Sequence, residues 1–143
     1  MKVGFIGLGI MGTPMAGHLI KGGHELFLHS VPAIPGELTE AGGRACASGE
    51  EVARQADVII IMVPDTPHVE DVLFNPQGVA KGLSKGKVVV DMSSISPVAT
   101  KDFARRINEL GCDYLDAPVS GGDVGAKAAS LSIMVGEIGR AHV

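Results

Sequence analysis

Aromatic residues are scarce in this chain: there is no tryptophan, one tyrosine and four phenylalanines among 143 residues. That leaves no stacking platform for single-stranded nucleic acid. Basic clusters are missing too. The formal net charge is −4 and no run of Lys and Arg stands out, so no nucleic-acid partner is expected. Long apolar runs are also absent. The longest, Val58 to Val63, has six residues, far below the roughly 20 of a membrane span, and no membrane partner is expected. The N-terminus runs straight from a short apolar stretch into glycines, without a signal-peptide layout. Only two cysteines occur, Cys46 and Cys112, and they show no ligand-like spacing. The chain therefore reads as cytoplasmic with two free thiols. His18, His24, His29 and His68 are not spaced as metal ligands, and no G-x-S-x-G elbow is present, so neither a metal site nor a serine hydrolase is expected.

Glycine is abundant instead, at 20 of 143 residues, about twice ordinary usage. No collagen-like period accounts for it, so each glycine needs its own reason. The chain is 45% hydrophobic and 20% charged, enough to build a core.

Short β-rich runs alternate with helix-like stretches. Strands are predicted at 2–6, 25–29, 58–62, 87–91, 114–116 and 131–135, with a short one near 44–46. Several are nearly continuous apolar runs, the pattern of strands covered on both faces. Between the first two, Met11, Met15, Leu19 and Ile20 share a helical face that stops at Gly22-Gly23. Phe103, Ile107 and Leu110 do the same before Gly111, and Ser48 is placed to cap the helix that follows it. The fold class is α/β, a Rossmann-like doubly wound parallel sheet with right-handed crossovers.

The sharpest motif is Gly7-Leu8-Gly9-Ile10-Met11-Gly12, a G-x-G-x-x-G. It follows a predicted strand and opens a predicted helix, the context in which such a loop cradles a pyrophosphate. Gly7 permits the turn, Gly9 lets the anion approach, and Gly12 lets helix and strand pack closely. NAD or NADP is the expected cofactor. The second predicted strand ends Phe27-Leu28-His29-Ser30-Val31. It carries neither the carboxylate that favours NAD nor the arginine that favours NADP. Ser30 is the candidate for either ribose substituent, so the choice stays open.

Four stretches in order carry a family likeness: residues 5–16 around the phosphate loop, Met62-Val63-Pro64-Asp65-Thr66-Pro67, Asp91-Met92-Ser93-Ser94-Ile95-Ser96-Pro97, and Asp116-Ala117-Pro118-Val119-Ser120-Gly121-Gly122. Together they resemble the β-hydroxyacid dehydrogenases, the 3-hydroxyisobutyrate dehydrogenase family. The resemblance implies NAD(P)-dependent oxidoreduction of a small hydroxy acid or its semialdehyde. It puts Val63, Pro64 and His68 against the cofactor, with Ser94, and Ser93 beside it, near the nicotinamide end unless they cap the next helix. It also implies that Ser120, Gly121 and Gly122 hold the substrate's carboxylate, with Asp116 ordering that loop.

The family's proton donor is a lysine on a helix leading into an all-helical C-terminal domain. This sequence has no such helix, and Lys127 falls in the wrong motif, so no catalytic residue is expected within it. The chain is accordingly read as residues 1–136 of an NAD(P)-binding domain, truncated before the helical domain through which family members form homo-oligomers. Residues 138–143 can be encoded by the opening bases of a common short-read sequencing adapter. Residues 137–143 are therefore expected to be a non-native read-through tail. A stand-alone nucleotide-binding module is the other reading, and the downstream gene sequence discriminates between them.

Overall fold

The computed structural model describes residues 1–133 and 136–137. Along the chain run β1 (Lys2–Ile6), α1 (Gly12–Lys21), β2 (Glu25–His29), α2 (Gly36–Glu40), β3 (Arg44–Ala45), α3 (Gly49–Gln55), β4 (Val58–Ile61) and α4 (Thr66–Phe74). There follow α5 (Val79–Gly82), β5 (Val88–Asp91), α6 (Pro97–Glu109), β6 (Asp113–Asp116), β7 (Val119–Ser120), α7 (Gly122–Lys127), β8 (Ser132–Ile133) and β9 (Gly136–Glu137). The main sheet has the order β3-β2-β1-β4-β5-β6-β9. Its first six strands are parallel, and β9 closes it antiparallel to β6. The chain starts at the centre, winds outward through β2 and β3, then returns to wind the other way through β4, β5 and β6. That is the doubly wound order expected from the alternation of runs.

Both faces of the sheet are covered, which is why β1, β2 and β4 read as almost unbroken apolar stretches. On one face Ile59, Ile61, Val89 and Tyr114 pack with Val52, Val69, Leu73, Phe103 and Ile107 from α3, α4 and α6. On the other, Val3, Phe5, Leu26 and Leu28 pack against Ala16 and Leu38, with Met15, Leu19 and Ile20 partly buried beside them. His18, near the end of α1, ties down α7: its Nε2–H donates to the carbonyls of Ala126 at 2.9 Å and Lys127 at 3.0 Å.

Local signals hold in most places. Ser48 caps α3, its hydroxyl accepting the Glu51 N–H, and Gly22 and Gly23 close α1 by bonding to the His18 and Ile20 carbonyls. Three readings need correction. The strand predicted at 131–135 is, in its described part, the two-residue β8, which pairs antiparallel with β7 outside the main sheet; positions 134 and 135 lie outside the described residues. Ser130-Leu131-Ser132-Ile133 alternates polar and apolar, the pattern of a strand covered on one side rather than two. Leu110 is 44% exposed because α6 has already ended at Glu109. Met11 stands at the N-cap position of α1 and faces a cleft instead of the core. Positions 138–143, most of the expected tail, also lie outside the described residues.

Candidate cofactor-binding site

A cleft of ≈ 720 Å³ opens at the carboxyl edge of the parallel strands, where open α/β sheets bind ligands. Its floor is the turn from β1 into α1. Gly7 has φ +101, and a Cβ there would stand 2.0 Å from the Met62 carbonyl oxygen. A Cβ on Gly12 would stand 1.8 Å from the Gly7 carbonyl oxygen. These two glycines are dictated by the protein's own backbone. Gly9 is different: a Cβ there meets no atom within 4 Å. Nothing in the folded chain demands a glycine at that position, whereas a ligand lying over the turn would.

The turn is held from both sides. The Leu8 N–H donates to Ser30 Oγ at 3.0 Å, and Thr13 Oγ1 donates to the Leu8 carbonyl at 2.9 Å. The start of α1 carries no side-chain cap. By contrast α3, α4 and α6 are capped by Ser48, Asp65 and Ser96. Among the described residues no backbone acceptor meets the N–H groups of Gly9, Ile10, Met11 or Gly12. These donors and the positive end of the helix dipole suit an anion. Among the described residues no Lys or Arg lines the cleft, so the backbone is their main source of positive potential. The residues present therefore fit a pyrophosphate-bearing dinucleotide.

Residues 2–142 match the family described as the NAD binding domain of 6-phosphogluconate dehydrogenase. The chain belongs to this family. It is 57% identical over 136 residues to 2-hydroxy-3-oxopropionate reductase of Escherichia coli (strain K12), covering 95% of this chain and 47% of that protein. It is 42% identical over 137 residues to mitochondrial 3-hydroxyisobutyrate dehydrogenase of Mus musculus, covering 95% of this chain and 41% of the other. Among solved structures, the one described as Psf3 in complex with NADP+ and 2-OPP superposes with a TM-score of 0.88 at 30% identity, over 98% of this chain and 50% of that one. The chain spans about half the length of the relatives it matches. The likeness to hydroxyacid dehydrogenases read from the sequence motifs is borne out.

Most residues singled out by motif converge on this family's cleft. Gly7, Leu8, Gly9, Ile10, Met11 and Gly12 line it together with Ser30, Val63, Pro64, His68 and Ser94. His68, at the first turn of α4, pairs through Nδ1 with Asp65 Oδ1, and that contact holds the exposed Asp65 carboxyl below its ordinary range. His29 also lines the cleft, with its Nδ1–H donating to the Cys46 carbonyl at 3.1 Å. Ser93 does not reach it. It is 1% exposed, and its hydroxyl oxygen accepts the Val63 N–H at 3.0 Å. The capping alternative for Ser93 and Ser94 also falls away, because Ser96 caps α6.

Ser120, Gly121 and Gly122 stand apart from the cleft lining. They are exposed, at the junction of β7 and α7, with φ of +129 at Gly121 and +60 at Gly122. Asp116, at the end of β6, carries a carboxyl raised by burial first and by Asp91 second. Lys127 is exposed on α7 and does not line the cleft.

Sequence reading missed the far wall of the cleft: Ala47, Ser48 and Gly49 before and at the start of α3, and Asp71, Val72, Asn75 and Gln77 along α4 and just beyond. Asn75 shapes that wall, its Nδ2 donating to the Asp71 carbonyl at 2.6 Å while its Oδ1 accepts the Gln77 N–H at 2.7 Å. Ser48 carried a usable signal. A cap directly after a strand of a parallel sheet sits at the same edge as the phosphate turn. The α4 residues belong to no motif and enter the site only through tertiary packing.

Proposed function

We propose that the cleft binds NAD or NADP and that the chain is the cofactor-binding part of a reductase converting 2-hydroxy-3-oxopropionate (tartronate semialdehyde) to glycerate. The observation that carries the cofactor reading is Gly9. It is a glycine with no clash to avoid, and among the described residues its N–H and those of Ile10, Met11 and Gly12 meet no backbone acceptor at the uncapped start of α1. The substrate rests on the 57% likeness to the bacterial reductase.

In this reading the turn from Gly7 to Gly12 holds the pyrophosphate and Ser30 faces the adenosine ribose. Val63 and Pro64 form an apolar wall, His68 reaches the cofactor from α4, and Ser94 lies at the nicotinamide end. Ser120, Gly121 and Gly122 hold the substrate carboxylate at the same sheet edge. The bound cofactor supplies the hydride, and the protein orients the two partners and excludes water. The protonating lysine expected from the family lies outside these 143 residues, so the chain by itself binds cofactor without turnover. The complete enzyme is a cytoplasmic homo-oligomer in the same reading, and residues 137–143 are non-native.

Calorimetric titration of the chain with NAD+ and NADP+ tests the cofactor assignment, and absence of binding to both refutes it. Steady-state assay of the full-length gene product on a panel of small semialdehydes tests the substrate. Turnover by the 143-residue chain alone would overturn the need for the outside lysine. A native reading frame running through the codons of 137–143 would overturn the tail assignment.

A further inference from the structure

The described residues contain one polar network in the core that cofactor contact does not explain. Asp91, the last residue of β5, is 0% exposed, as is Tyr114 of β6. Tyr114 is paired in register with Val89, so it shares a sheet face with Asp91, two residues further along β5. Its hydroxyl donates to Asp91 Oδ2 at 2.8 Å. The other oxygen, Oδ1, accepts the Ser93 N–H at 2.9 Å. Ser93 Oγ then accepts the Val63 N–H at 3.0 Å. Three hydrogen bonds thus run from β6 through the β5 loop to the β4 loop, and end on the backbone of a residue that lines the cleft.

This is a costly place for a carboxylate. Val89, on the same face, lies in the main apolar cluster with Ile61 and Phe103. Burial pushes the Asp91 acid above its ordinary range, the Tyr114 and Ser93 bonds pulling it only part of the way back. An apolar side chain there would avoid the desolvation penalty. What it could not do is fix two neighbouring loops by directional bonds. The β5 loop turns so that Ser93 faces inward while Ser94, next to it, lines the cleft.

We propose that Tyr114, Asp91 and Ser93 form a positioning relay that sets Val63 and Ser94 against the nicotinamide half of the bound cofactor. None of the three is a catalytic residue. Their effect passes through the two loops they bond. The inference rests on the cofactor reading and narrows it, because among the described residues the phosphate turn and the β2 end, which face the adenosine half in that reading, make no hydrogen bond to this relay.

The test is calorimetry on the chain with two probes, NADP+ and 2′-phospho-ADP-ribose, which lacks the nicotinamide; NAD+ and ADP-ribose replace them if the chain prefers NAD+. Tyr114→Phe removes the first bond at almost constant volume, and Ser93→Ala removes the last. Each variant is expected to weaken the dinucleotide about tenfold, the scale of one lost buried hydrogen bond, while the nicotinamide-free probe changes less than about twofold. A merely structural role would lower both affinities together or neither, and either result overturns the relay. If Tyr114→Phe does not fold, the two affinities of Ser93→Ala decide the question. A wild-type chain that binds neither probe refutes the cofactor reading itself, and the relay with it. Binding of both probes, with no difference between variant and wild type, refutes the relay only.

Discussion

Gly9 and Gly12 share one motif and should respond to alanine in opposite ways. At Gly12 the added Cβ would stand 1.8 Å from the Gly7 carbonyl oxygen and 3.2 Å from the Phe5 ring. The first neighbour is backbone, so the turn or the start of α1 must move, at about 1–3 kcal/mol. At Gly9 the Cβ meets nothing within 4 Å and the backbone is outside the left-handed region. Alanine therefore fits without strain and should stabilise by about 0.4–1 kcal/mol through loss of unfolded-state freedom. That corresponds to a Tm rise of roughly 1–4 °C at this chain length. The methyl nevertheless projects where the pyrophosphate must approach the free N–H groups. Loss of one charge-assisted hydrogen bond, about 1.5–3 kcal/mol, makes cofactor binding roughly 10- to 100-fold weaker. Thermal unfolding and calorimetric titration of Gly9→Ala and Gly12→Ala give all four numbers. A Gly9→Ala chain that binds as tightly as wild type would refute the reasoning, as would one that loses stability like Gly12→Ala.

Three further outcomes follow from the same geometry. Ser30→Asp puts a carboxylate at the end of β2, beside the turn that Ser30 Oγ now braces, and should disfavour NADP+ relative to NAD+ by at least about tenfold; competitive titration checks the ratio. Ser120→Ala, outside the cleft lining, should leave both cofactor affinities within about twofold while raising the substrate KM of the full-length enzyme. Asp91 has its folded-state pKa raised by burial. Its favourable contribution is therefore present below the unfolded carboxylate pKa and is lost as pH rises through the folded value. Asp91→Asn should flatten the fall in stability across that acid window, measurable as urea midpoints against pH, and an unchanged slope would rule out Asp91 as its source.

Much of the fold was legible because parallel strands announce themselves locally. Positions 58–61 and 88–90 form apolar runs too continuous for a half-exposed strand, and Ser48 or Gly22-Gly23 mark helix ends by chemistry within a few residues. What stayed hidden depends on partners distant in sequence. The pairing of Val119 with Ile133 moves the last expected strand out of the main sheet, and no property of either segment specifies it alone. Asp91 reads as an ordinary strand end until Tyr114 and Ser93 are seen to hold it.

The candidate site shows the same division. In a parallel sheet every strand-to-helix loop emerges at one edge, so motifs at 7–12, 62–67, 91–97 and 116–122 could be assigned to that edge from strand assignments alone. Sharing an edge is a weaker condition than sharing a cleft. The first three loops follow β1, β4 and β5, which are adjacent in the sheet, and each contributes residues to one cavity. The fourth follows β6, one strand further out, and leads into β7 before Gly121 and Gly122 turn the chain into α7. From there the chain folds back onto α1, where His18 bonds the Ala126 and Lys127 carbonyls of α7, so following β6 brings Ser120, Gly121 and Gly122 past a strand end without bringing them into the cavity.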